Sequence, residues 1–93
     1  MEQLSLISSS VLADRESILL GLRNDGDQPA YVTWVSIDGR PKQERPPTLV
    51  RPGEAENLGI SIVGQGYKLQ KGKRYEFRIG TTRKEYFYEP LVD

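Results

Sequence analysis

The sequence predicts an all-β protein built from two packed antiparallel sheets, and three observations carry that prediction. Apolar residues recur with period two along most of the chain, as in Tyr75-Glu76-Phe77-Arg78-Ile79, which is the alternation of a half-buried strand. Turn signals separate these runs at intervals of roughly 8–12 residues. The runs number about seven in 93 residues, the strand density of a small sandwich.

The first run is Leu4 to Leu12, with Ser5, Ser8, Ser9 and Ser10 interleaved, and Asp14, Arg15 and Glu16 break it. In the second, Ser17 to Arg23, Ile18, Leu20 and Leu22 share one face and Leu19, Gly21 and Arg23 the other. Asn24-Asp25-Gly26-Asp27 is a turn, because Asn and Asp side chains bond their own backbone and Gly supplies conformational freedom. The third run, Ala30 to Ile37, is aromatic and β-branched, and Asp38-Gly39 after it reads as a type I′ hairpin turn. Pro41 to Pro52 carries Pro at 41, 46, 47 and 52, which leaves room only for a short edge strand over Thr48 to Val50.

Pro52-Gly53 turns the chain into the fifth run, Glu54 to Val63, with Leu58, Ile60 and Ile62 on one face; Gly64-Gln65-Gly66 ends it. Lys71-Gly72-Lys73 turns into Arg74 to Gly80. After a tight connection over Thr81 to Arg83, Lys84 to Val92 forms the last strand. On that strand either Phe87 faces inward and Tyr86 and Tyr88 outward, or the reverse.

These elements fit one immunoglobulin-like sandwich domain over residues 1–93. Trp34 falls in the third strand, where such sandwiches often place a core aromatic. Tyr75, at the start of the sixth strand, stands at the position of a tyrosine corner, whose hydroxyl ties back to upstream backbone. The predicted core is Ile18, Leu20, Leu22, Leu58, Ile60, Tyr75, Phe77 and Ile79.

Composition narrows the function. Thirteen basic and thirteen acidic residues give a formal net charge of zero, without the basic excess that phosphate contacts demand of a nucleic-acid-binding domain. The chain has no Cys and no His. That excludes thiolate catalysis, Cys-based zinc sites and a His general base. No apolar run reaches the roughly 18 residues of a membrane span. Arg outnumbers Lys and Asn is scarce, a composition that points to a thermophilic source.

Several clusters have a chemical reading and a plainer one. Ser8, Ser9 and Ser10 have no His partner for a triad; a Ser-Lys dyad is the remaining catalytic form, and the polar face of an edge strand is the plainer account. Glu54 and Glu56 share a strand face, but glycosidase carboxylates need to face one another across a cleft. Asn24, Asp25 and Asp27 offer oxygen ligands for Ca²⁺, yet no bidentate Glu follows at the spacing of a calcium loop, so they read as a turn. Arg40, Lys42, Arg45 and Arg51 gather near the Pro-rich stretch with Glu44, Glu54 and Glu56 close by, a mixed-charge solvated loop. Pro46-Pro47 reads as a stiff connection rather than a polyproline ligand. The sequence therefore implies no cofactor and no enzyme.

The succession Ile18-Leu19-Leu20-Gly21-Leu22-Arg23-Asn24-Asp25-Gly26, Tyr31-Val32-Thr33-Trp34-Val35-Ser36-Ile37-Asp38-Gly39, Leu49-Val50-Arg51-Pro52-Gly53-Glu54 and Leu69-Gln70-Lys71-Gly72-Lys73-Arg74-Tyr75 resembles the extracellular β-sandwich domains of archaeal pilin-like and archaellum-associated proteins. The resemblance covers the chain from about Val11 onward. It implies a location outside the cytoplasmic membrane, in the cell envelope, with a hydrophobic helix upstream of the domain. It also implies a protein partner: a filament subunit, an S-layer protein or a stator-like accessory. A carbohydrate-binding or adhesion module of the same fold is the alternative.

Edge strands are natural templates for pairing, and Tyr offers contact area at low entropic cost. The first and last strands are therefore the expected docking side, for a second copy or another protein. Tyr86 and Tyr88 are its expected anchors, with Ile7, Ser9 and Val11 alongside.

Overall fold

The computed structural model describes residues 1–93 and has seven strands: β1 (Leu4–Val11), β2 (Ser17–Asn24), β3 (Ala30–Ile37), β4 (Gln43–Val50), β5 (Ala55–Ser61), β6 (Phe77–Thr81) and β7 (Glu85–Tyr88). They form two antiparallel sheets, ordered β1-β2-β5 and β4-β3-β6-β7. A constant-type immunoglobulin domain puts its fourth strand with the first, second and fifth; here β4 stays with β3. The turn between them explains this. Asp38 and Gly39 both have positive φ, 50° and 72°, and Arg40 N–H bonds Ile37 C=O at 2.9 Å. Such a tight primed turn returns the chain directly alongside β3.

All eight predicted core residues are buried, joined by Leu4, Val11, Val32, Val35, Ile37, Val50, Ile62, Leu69 and Val92 among others. The tyrosine corner is present. Tyr75 is buried and its phenol oxygen accepts a hydrogen bond from Gln70 N–H at 2.8 Å, pinning the β5–β6 connection to the start of the sixth strand.

Asn24 is a second anchor. It is fully buried and uses its whole amide group. Oδ1 accepts from Gly26 N–H at 2.9 Å and Gln3 N–H at 3.3 Å. Nδ2 donates to Gln28 C=O at 2.7 Å and Val50 C=O at 3.0 Å. One side chain thus ties together the β2–β3 turn, the N-terminal segment and the end of β4. Asp25 is engaged by Ser5 and Arg23, and Asp27 by the N-terminal ammonium; these bonds hold both carboxyls below the usual carboxylate range, Ser5 contributing most to the first and the ammonium to the second.

Three expectations are corrected. β4 runs over eight residues, not only Thr48–Val50. Its register with β3 passes from Val32↔Thr48 to Trp34↔Glu44, so Arg45-Pro46-Pro47 bulges opposite Thr33 alone. An edge strand tolerates the missing donors of two prolines at such a bulge. Trp34 is not a core residue. The same irregularity at Thr33 turns Trp34 to the outer face, where it is half-buried and paired with Glu44 and Gly80. Finally, β6 begins at Phe77 and β7 ends at Tyr88. Beyond them the ladder continues only as scattered bonds, Tyr75 N–H to Pro90 C=O and Val92 N–H to Lys73 C=O, with Arg74 bridged to Leu91.

Candidate protein-interaction face

Cross-strand register places every outer side chain of the four-stranded sheet. One row runs Ser36, Arg78, Phe87; the next runs Glu44, Trp34, Gly80, Glu85; beyond it lie Leu49 and Tyr31. Three aromatic residues thus share this face. Tyr31 and Phe87 are exposed, and Trp34 is half-buried.

Gly80 is what makes room for Trp34. A methyl group on Gly80 would overlap the indole at Nε1 and Cε2, so only glycine lets the ring lie against the sheet. An aromatic side chain covering a strand glycine protects the backbone there from solvent; Gly80 is buried although it faces outward. Lys42 Nζ sits over the same ring, 4.3 Å from its centroid, and the Arg78 guanidinium stands 5.8 Å from the centroid of Phe87. Arg40 covers Tyr67 at 3.7 Å, and Lys73 and Lys84 approach Tyr75 and Tyr86. On the outer face, Trp34 and Phe87 are each presented together with a cation rather than bare.

The expected anchors lie elsewhere than predicted. Tyr86 pairs with Ile79 and Tyr88 with Phe77, both core residues, so the two Tyr rings turn inward and Phe87 turns out. They stack with centroids 6.3 Å apart and pack against the core. Their hydroxyls bridge the two sheets: Tyr88 donates to Leu4 C=O at 2.7 Å and Tyr86 to Glu2 Oε2 at 2.9 Å. Glu2 is only 2% exposed and takes a second bond from Thr81 Oγ1 at 2.6 Å. Of the first-strand residues, Ser9 and Val11 are buried, and their outward backbone groups are taken by the C-terminal residue: Asp93 N–H bonds Ser9 C=O, and Val11 N–H bonds Asp93 C=O. Of the three expected there, Ile7 alone is exposed, at 49%, because the register shift between Leu6 and Ser8 bulges it out of the ladder.

Burial pushes the Tyr88 hydroxyl up to about 12. Burial, and then the bond to Glu2, raises Tyr86 further. In the unfolded chain both titrate near 10. Stability from these neutral hydroxyls is therefore complete below about pH 10 and falls as pH rises through about 12, because the unfolded state loses its protons first. Chemical denaturation between pH 8 and 12.5 should show a decline confined to the alkaline end, and a smaller one in Tyr88→Phe. An equal decline in that variant would assign the effect to other groups.

The four sheet edges differ. β1 is partly closed by Asp93 and by the Tyr88 hydroxyl. β4 carries Pro46 and Pro47. On β5, Gly59 C=O is capped by Arg45 Nη1 at 2.8 Å. On β7, the 79↔86 and 77↔88 pairs are the bonded ones, in step with Thr81 N–H to Lys84 C=O. By the alternation of an antiparallel ladder, Glu85 and Phe87 then point their backbone groups outward, and no other segment bonds them.

The sequence carried one overlooked sign of this face: Gly80 interrupts an alternating strand, and a strand glycine often marks close approach of another group. No three His, Cys, Asp or Glu side chains are grouped to hold a metal ion. No protein-family model matches the chain, and a search of curated proteins finds no relative that matches it.

Proposed function

We propose that this domain is a protein-interaction module that docks a partner protein on the outer face of its four-stranded sheet and performs no chemistry itself. The observation that carries the reading is the gathering of Tyr31, Trp34 and Phe87 on that one face, with Lys42 and Arg78 set over the rings. Aromatic and Arg side chains are the groups that dominate protein–protein binding energy. The resemblance of the strand and turn succession to archaeal surface-filament domains supports a place outside the cytoplasmic membrane. There the partner is a neighbouring filament subunit, an S-layer protein or an accessory protein.

A carbohydrate platform needs a free ring face for stacking. The sheet at Gly80 underlies Trp34 and Lys42 covers it, which favours protein contact over sugar. Trp34 is the only Trp, so its emission reports on this choice directly. A photo-crosslinking residue in place of Tyr31, in cells of the source organism, should give a discrete adduct with a different protein. The same residue in place of Asn57, exposed on the opposite sheet, should not. Equal adducts from both faces, or none, would sink the proposal. A saturable shift of Trp34 emission with surface polysaccharide would favour the sugar reading instead.

A further inference from the structure

The geometry points to a second copy of this chain as the occupant of the free β7 edge, paired antiparallel about a two-fold axis beside Tyr86. The inference rests on the reading of the domain as an interaction module and names one of its partners. It starts from the edges. The four-stranded sheet that carries the interaction face ends in β4 and β7, and β4 is blunted by two prolines. Of these two edges only β7 offers a regular pair of outward backbone groups, at Glu85 and Phe87.

Charge then decides what fits there. Antiparallel pairing of two β7 strands must match odd-numbered residues with odd-numbered ones, since those carry the outward groups. Centring the axis at Glu85 sets Glu85 against its own copy. Centring it at Phe87 sets Glu85 against Glu89, twice. Centring it at Glu89 sets Glu89 against itself. Like charges directly opposite are destabilising. Centring it at Tyr88 avoids this but pairs Glu85 with Leu91, and pushes the new strand toward the end where Asp93 is already bound to β1. Centring it at Tyr86 pairs Glu85 with Phe87 and Arg83 with Glu89, each twice by symmetry. This register has no like-charge pair and two opposite-charge pairs. An isologous contact of this kind closes on itself and cannot propagate.

The residues that set the register are free for the role. Glu89 makes no ion pair within the chain, and Arg83 contacts only the Gln28 amide oxygen through its side chain. Phe87 is 53% exposed, and in the dimer it lies beside the Gly80 and Glu85 row of the second copy. The assembled sheet would have eight strands, with two Trp34 faces on one continuous surface.

Sedimentation equilibrium of the purified chain over roughly 10 µM to 1 mM tests this, a range suited to the weak interface that so short an edge can make. The expected result is a monomer–dimer equilibrium. Arg83→Glu and Glu89→Arg should each weaken it about tenfold, since each reverses two symmetry-related pairs. The double variant, Arg83→Glu with Glu89→Arg, should restore it. A monomer at every concentration overturns the inference. So does a dimer whose affinity ignores the single reversals, or one that the double variant fails to restore. The Tyr31 crosslink to a different protein reads a position two strands away from this edge, so either result can fail while the other holds.

Discussion

Phe77→Ala is expected to lower the free energy of unfolding by about 3–5 kcal/mol, the cost of truncating a fully buried Phe and leaving a cavity behind. Phe77 has no exposed surface and sits on β6, an inner strand of the four-stranded sheet, between Ile37 on β3 and Tyr88 on β7. A domain of this size has a total stability of about 5–15 kcal/mol, so the variant should sit near the threshold of folding. Urea titration followed by far-UV circular dichroism measures the loss. Phe77→Leu retains most of the volume and should lose less than half as much. A loss below about 1 kcal/mol for the Ala variant would contradict the tight inter-sheet packing described here.

Asn24→Ala should be comparably severe, about 3–4 kcal/mol, for a different reason. It deletes no large volume, but it strands the carbonyls of Gln28 and Val50 and the N–H groups of Gly26 and Gln3. Leaving a buried polar group unpaired costs about 1–3 kcal/mol, and the groups nearer the surface recover part of that from water. Asn24→Asp separates this account from simple shape. The carboxylate keeps both accepted bonds but presents an oxygen to two carbonyls, so it should be nearly as destabilising as Ala despite its matched volume. A thermal midpoint lowered by roughly 15–25 °C in Asn24→Ala is the corresponding signature. If Asn24→Asp melted like the parent chain, the donated bonds to Val50 and Gln28 would not be holding the turn.

The two variants bear on the interaction face by different routes. Phe77 lies under the row of Arg78 and Phe87, so loss of its ring should disturb the face directly. Asn24 holds the N-terminal segment that carries Glu2 to Tyr86 and Leu4 to Tyr88. Its loss should loosen the inward anchoring of the two Tyr rings, and with it the geometry of the β7 edge.

What the sequence determined by itself was whatever local chemistry decides. Period-two alternation marked the strands and named the core from Ile18 through Ile79. Asp38-Gly39 specified the hairpin turn, and the place of Tyr75 at the start of the sixth strand marked the corner. Tertiary structure decided every question of which way a side chain faces near an irregularity. A strand slipped by one residue presents its opposite face, and alternation on β7 fits Tyr86 and Tyr88 inward or outward equally well. Register with Ile79 and Phe77 settled it, together with hydroxyl partners at Glu2 and Leu4 that are 84 residues away in sequence. The bulges at Ile7 and Thr33 had the same effect on the first strand and on Trp34. A bulge depends on how many residues the partner strand sets opposite, which is a property of two segments together and is written in neither alone.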